Sequence, residues 1–156
     1  MAQHLPPRQT SGRPSEPPPG APWDQPIDEA PLCFVDLEMT GLRPASDRVI
    51  ELCLERVVGG RVERALTSLV RPECGTFGNA HVHGIGPEEV EGAPTFAELI
   101  DPIEQLLDGA VLVAHAAAWD VAFLEAELAR AGHPRHIEHY LDTLTLSRRA
   151  FSLPSH

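Results

Sequence analysis

Two strand-like runs joined by a glycine pair constrain this chain most. Residues 48–58, RVIELCLERVV, alternate, with Ile50, Leu52 and Leu54 on one side and Glu51, Cys53 and Glu55 on the other. Gly59-Gly60 follows, a two-residue hairpin signal, and residues 61–70 return as a strand stopped by Pro72. An earlier run, Leu32-Cys33-Phe34-Val35, is continuously apolar, which suits a central strand covered on both sides. Met39 to Asp47, with Gly41, Pro44 and Ser46, reads as the loop between them. An antiparallel three-stranded meander is predicted.

Beyond Pro72 the rhythm changes. Gly75 to Pro87 is a glycine- and histidine-rich loop leading to a helical turn at Pro87–Val90, with Pro87 at the first helical position. Thr95 caps a helix reaching Leu107, with Glu98 at the capping-box position; Phe96, Leu99, Ile103, Leu106 and Leu107 have helical spacing, and Gly109 ends it. Residues 110–115 form a short buried strand, 118–131 a helix ending at Gly132, and Tyr140-Leu141 a last strand. Asp142 caps a helix over 143–150. The fold class is therefore α/β: a meander followed by alternating helices and strands, giving a mixed sheet flanked by helices. This is the element order of the ribonuclease H-like architecture.

The stretch 34–42, FVDLEMTGL, places two acids near the end of the first strand. Side chains alternate along a strand, so Phe34, Asp36 and Glu38 share one face and Val35 and Leu37 the other. Two neighbouring carboxylates repel and lose hydration if buried; a divalent cation removes both penalties, and so does exposure at the strand end. A third acid, Asp120, lies on or beside the apolar stripe of Leu124 and Leu128. Near a helix start an acid also serves as a first-turn charge favoured by the macrodipole. If strand 110–115 pairs with the first strand, Asp120 approaches Asp36 and Glu38 at the strand ends, where ligands of open α/β sheets gather.

Composition bounds the partners. The chain has 156 residues, enough for one domain with a core, and a net charge of −11; all twelve basic residues are arginine. That excludes a broadly basic surface tracking phosphates, but not a small acidic site that reaches phosphate through metal ions. Nine of the sixteen prolines fall by Pro31, and residues 1–30 read as a disordered, proline-rich tail. A proline-motif ligand is the alternative for this tail. Cys33, Cys53 and Cys74 form no CxxC, so zinc is not indicated; Cys33 and Cys53 read as buried thiols. Nothing is long enough to cross a membrane, and a soluble, cytoplasmic protein is expected.

FVDLEMTGL resembles the first motif of the DEDDh 3′–5′ exonucleases, the superfamily of the proofreading epsilon subunit of bacterial DNA polymerase III. LVAHAAAWDVAFLEAEL (112–128) resembles the second motif. VHGIGPEEVEGAPTFAEL (82–99) and YLDTLTLSRRAF (140–151) are similar to the segments around it. The resemblance covers residue 31 to the end. It implies a nuclease that hydrolyses phosphodiesters from the 3′ end and releases 5′-mononucleotides. Asp36, Glu38 and Asp120 would bind two Mg²⁺ or Mn²⁺ ions. Main chain at Thr40 and Gly41 would hold the terminal nucleotide, and Leu42 would wedge against its base; a loop-packing role is the alternative for Leu42. The epsilon likeness favours a DNA 3′ end over RNA and a DNA polymerase as a further partner. The residues themselves leave DNA and RNA open.

Two departures qualify this expectation. Ala116 stands where the family usually has asparagine after the motif histidine. No histidine with an aspartate five residues on follows Asp142, so the family's general base, fourth carboxylate and final helix are absent, and residues 31–156 read as a C-terminally incomplete exonuclease domain. His115, His81 and His83 read as structural or edge histidines, His156 as no substitute base, and Asp142 as a cap rather than a ligand. A catalytically dead exonuclease-fold binding module is the alternative function.

Overall fold

The computed structural model describes residues 15–73 and 84–151. Cys74, His81, His83 and His156, with the readings attached to them, lie outside the described residues.

Five strands form one mixed sheet in the order β3-β2-β1-β4-β5: β1 Leu32–Met39, β2 Val49–Val58, β3 Arg61–Leu69, β4 Val111–Ala114 and β5 Tyr140–Asp142. The first three pair antiparallel; β4 joins β1, and β5 joins β4, in parallel. The hairpin turn has Gly59 at φ +57° and Gly60 at φ +70°, the doubly left-handed turn whose twist matches its strands. The meander and the later alternation follow the predicted order.

The helices are α1 (Pro87–Val90), α2 (Ile100–Leu107), α3 (Ala118–Arg130) and α4 (Thr143–Phe151). The box at Thr95 forms: its N–H donates to Glu98 Oε2 at 2.7 Å, and the Glu98 N–H to Thr95 Oγ1 at 3.3 Å. It opens a 3₁₀ turn, Ala97–Leu99, rather than one continuous α-helix. Pro102 explains the division, because it has no N–H for the carbonyl four residues back and is tolerated only in a first turn.

The core lies on one face of the sheet. Cys33, Val35 and Leu37 of β1 pack with Leu52 and Leu54 of β2, Ile103 and Leu106 of α2, and Phe123, Leu124 and Leu128 of α3. On the other face, Val111 and Val113 of β4 are buried but Phe34 is 41% exposed. The expected two-sided cover of β1 is thus corrected: α2 and α3 share one core, and the side bearing Phe34 and Asp36 stays open. Between Glu38 and Met39 the register slips, leaving Ile50 as the extra residue of β2; it packs with Ile85 and Val90 instead.

Two further expectations change. Cys33 is fully buried, and burial pushes its thiol up to about 12, but Cys53 is only half-buried and accepts a 3.4 Å contact from the Thr67 hydroxyl. In the stretch expected to be a disordered tail, residues 15–30 hold turns and no helix or strand, yet they are anchored. Trp23 stands edge-on to His139, 5.5 Å between ring centroids; Ser15 bonds Glu138; Ala30 is buried; and the Pro31 carbonyl accepts the Val111 N–H at 2.8 Å. An aromatic contact, a buried alanine and two hydrogen bonds seat a segment whose proline content reads as open coil.

Phe123 is fully buried, whereas Val62 on β3 is 57% exposed. Phe123→Ala is expected to lower unfolding free energy by about 3–5 kcal/mol and Val62→Ala by less than about 1 kcal/mol, measured by urea denaturation.

Candidate active site

β1 and β4 pair only from Leu32–Val111 to Phe34–Val113. Past Phe34, β1 has no strand neighbour on that side among the described residues, and the start of α3 lies there, with the Leu37 amide bonding the Asp120 carboxyl. Asp120 sits in the first turn of α3 and is 7% exposed. Burial is the main reason its carboxyl rises from 3.8 to about 7; hydrogen bonds from the backbone amides of Asp120 and Leu37 oppose the rise, and the charges of Asp36 and Glu38 add to it. The parallel strand pairing thus brings the third acid to the other two. Asp36 is exposed, Glu38 half-buried, and Glu51 stands directly across from Glu38 on β2.

Among the described residues no cation pairs with Asp36, Glu38 or Asp120. Nor do three His, Cys, Asp or Glu side chains among them close into a ready-made ion cage. Asp36 and Glu38 both act on the Asp120 carboxyl through their charge, so the three acids stand within electrostatic reach of one another. A buried carboxyl without a counter-charge, facing two more acids, fits a divalent cation by its donor chemistry: hard oxygen ligands with no competing base.

The loop after β1 is tightly built. Thr40 is buried; its N–H donates to the Arg48 carbonyl, and its hydroxyl accepts the Arg48 N–H, both at 2.9 Å. Those groups are therefore engaged within the protein, contrary to a direct ligand contact through the Thr40 N–H. Gly41 leaves room for Asp47: a Cβ would lie 2.4 Å from Asp47 Oδ2, the oxygen that accepts the Arg43 N–H at 2.7 Å, and would force that side chain to shift. Leu42 is 48% exposed at the loop tip.

At the end of β4, Ala116 adopts φ +55°, a left-handed conformation that favours glycine or asparagine. Its N–H donates to Asp142 Oδ1 at 3.1 Å, and the same oxygen caps α4 through the Leu144 N–H at 2.9 Å. Asp142 is thus a cap, as the sequence indicates, and also a brace for this turn. His115 is exposed, with Nδ1 3.1 Å from the Thr143 hydroxyl. The remaining described histidines serve elsewhere: His133 and His136 meet Glu104 and Glu125, and His139 meets Trp23. Clefts of about 230 and 450 Å³ near residues 133–139 lie by Ala110 and Asp108, at the opposite end of β4 from Asp120.

The sequence reading missed Arg48 and Glu127. Their side chains form a buried two-point ion pair, Nε to Oε1 at 2.7 Å and Nη2 to Oε2 at 2.9 Å. The available signal was the position of Glu127, four residues after Phe123 and three after Leu124, on the apolar side of the helix.

Over residues 33–155 the chain matches the exonuclease family. It is 30% identical over 142 residues to the PolC-type DNA polymerase III of Latilactobacillus sakei, covering 78% of this chain and 10% of that protein. To the Thermotoga maritima PolC-type enzyme it is 26% identical over 134 residues, covering 85% and 10%. The chain thus spans about a tenth of these relatives. Escherichia coli exonuclease I, in its metal-free complex with single-stranded DNA, superposes with a TM-score of 0.69 at 18% identity, over 80% of this chain and 30% of that one. This structural likeness is one of fold, and the five-stranded mixed sheet is the ribonuclease H-like one.

Two outcomes follow from the geometry. Because folding raises the Asp120 carboxyl from 3.8 to about 7, the folded chain holds its proton more tightly; this stability is complete below pH 3.8 and is lost as pH rises through 7. In EDTA, Asp120→Asn is expected to flatten that fall, and at pH 8 to be more stable than the parent by on the order of 2–4 kcal/mol in urea titrations. Ala116→Gly is expected to raise stability by roughly 0.5–1 kcal/mol, read as a higher thermal midpoint.

Proposed function

Because the chain belongs to the exonuclease family, we propose that it is a metal-dependent 3′–5′ exonuclease domain that hydrolyses phosphodiesters from the 3′ end of DNA and releases 5′-mononucleotides. The observation that carries this reading is the buried Asp120 carboxyl, uncompensated by any described cation and within electrostatic reach of Asp36 and Glu38. In this reading the three acids hold two Mg²⁺ or Mn²⁺ ions, which supply charge neutralisation and an activated water at neutral pH. The protein's own part is to fix these carboxylates at the end of the central strand β1 and the start of α3, and to offer Thr40, Gly41 and Leu42 to the terminal nucleotide. With the Thr40 N–H engaged, the grip falls to its carbonyl and to Gly41, and Leu42 supplies an exposed apolar edge.

DNA is preferred to RNA because the relatives are DNA polymerases and the structural neighbours include exonuclease I bound to a dA16 oligonucleotide. The PolC likeness also supports association with a DNA polymerase. Free thiols at Cys33 and Cys53 suit the reducing cytoplasm, and no described helix is long and apolar enough to cross a membrane.

A second reading, a catalytically dead module of the same fold, is favoured by Ala116 in the second motif and by the open arrangement of the acids. One experiment separates them. The chain is incubated with a 5′-labelled single-stranded oligonucleotide and Mn²⁺. Slow stepwise shortening from the 3′ end is expected, since no histidine with an aspartate five residues on follows Asp142, with Asp36→Ala slower still by at least about 100-fold. Equal trimming by Asp36→Ala defeats the proposal; no trimming, with oligonucleotide binding intact, establishes the inert module.

A further inference from the structure

The loop between β1 and β2 and the helix bearing Asp120 are joined by one buried charge. Glu127 is 1% exposed and Arg48 5%. Glu127 Oε1 accepts Arg48 Nε and also the Val49 N–H at 3.1 Å, while Arg130 Nη1 lies 3.3 Å from the same oxygen. Arg130 in turn bonds the carbonyl of Pro44, inside the loop. Burying such a pair carries a desolvation penalty, and its removal on one side only leaves an uncompensated charge.

The two elements depend on this hub unequally. α3 is seated independently by Phe123, Leu124 and Leu128, all fully buried. The loop has no comparable apolar anchor: Leu42 is 48% exposed and the Arg43 side chain 70%. Polar ties hold it, among them the two Thr40–Arg48 bonds, the Arg43–Asp47 bonds, the Arg130 bond to the Pro44 carbonyl and the fork from Arg48 to Glu127.

We propose that Glu127 is a positioning residue for the nucleotide end: by fixing Arg48 it sets Thr40, Gly41 and Leu42 against the end of α3 that carries Asp120. What the loop receives rests on the exonuclease reading above; that Glu127 holds the loop does not. The Glu127 carboxylate is engaged by Arg48, the Val49 N–H and Arg130, not by the three acids. Its loss frees the loop while leaving the three acids in place, so nucleotide binding and metal binding separate.

The test uses the full chain and Arg48→Met/Glu127→Gln, which removes both charges of the buried pair together. Arg48→Lys, which keeps the charge but loses the two-point fork, is the milder second variant. Mn²⁺ alone is titrated calorimetrically, then dTMP with Mn²⁺ present, and amide exchange is followed without metal. Expected are Mn²⁺ affinity within about twofold of the parent, dTMP affinity lower by about tenfold or more, and exchange of the Gly41–Asp47 amides faster by about tenfold, with residues 118–130 still protected. Unchanged exchange and dTMP affinity overturn the proposal, as does an equal loss of Mn²⁺ and dTMP, which marks general loosening of the fold. If the parent chain shows no Asp36-dependent Mn²⁺ binding, the exonuclease reading fails instead, and the exchange arm still decides whether Glu127 holds the loop.

Discussion

Three residue pairs, from Leu32–Val111 to Phe34–Val113, join the meander to the later helices and strands. Everything at the site depends on that short parallel ladder. A slip of one residue would turn Leu112 and Ala114 away from the shared core. Its early end matters as much as its register. Because pairing stops at Phe34, the Leu37 amide is free to meet the first turn of α3, and Asp120 is carried to the acids of β1. The sheet does not merely support the acidic edge; its unfinished ladder makes room for it.

Two buried acids on α3 then meet opposite fates. Glu127 is matched by Arg48 in a two-point fork and helps hold the loop. Asp120, two turns earlier on the same helix, has backbone amides but no described cation, and stands against two more negative groups. The first arrangement is internally balanced. The second is balanced only by taking up a proton or a cation. A helix with both kinds of acid combines a settled anchor with a site under electrostatic tension, and the tension is the chemically useful part.

Local chemistry was legible in the sequence wherever a few neighbouring residues decide the geometry. Gly59-Gly60, the Thr95–Glu98 box and the Asp142 cap are read within a few positions, and each forms. Alternation also put Phe34, Asp36 and Glu38 on one side of β1. The apolar run at residues 32–35 did not reveal that only one side would be covered, because cover depends on where α2 and α3 dock. Arg48 and Glu127 are separated by 79 positions, and a glutamate inside a helix ordinarily faces water, so their pairing had no local mark. The anchored part of the proline-rich stretch escaped for a similar reason: Trp23 finds His139 only in three dimensions. Roles for Asp36, Glu38, Asp120 and the Thr40–Leu42 loop came from the motif resemblance; the fold supplies their placement.

The two described cysteines differ in a way that has practical value. Cys33, sealed in the core with its thiol pushed up to about 12, holds its proton and offers reagents no sulfur anion. Cys53 is half-open and stands across the sheet from Asp36. A small thiol-directed fluorophore will therefore choose the second sulfur over the first, and will come to rest beside the acidic edge. The fold has in effect placed an attachment point for a probe next to Asp36 on the open side of the sheet.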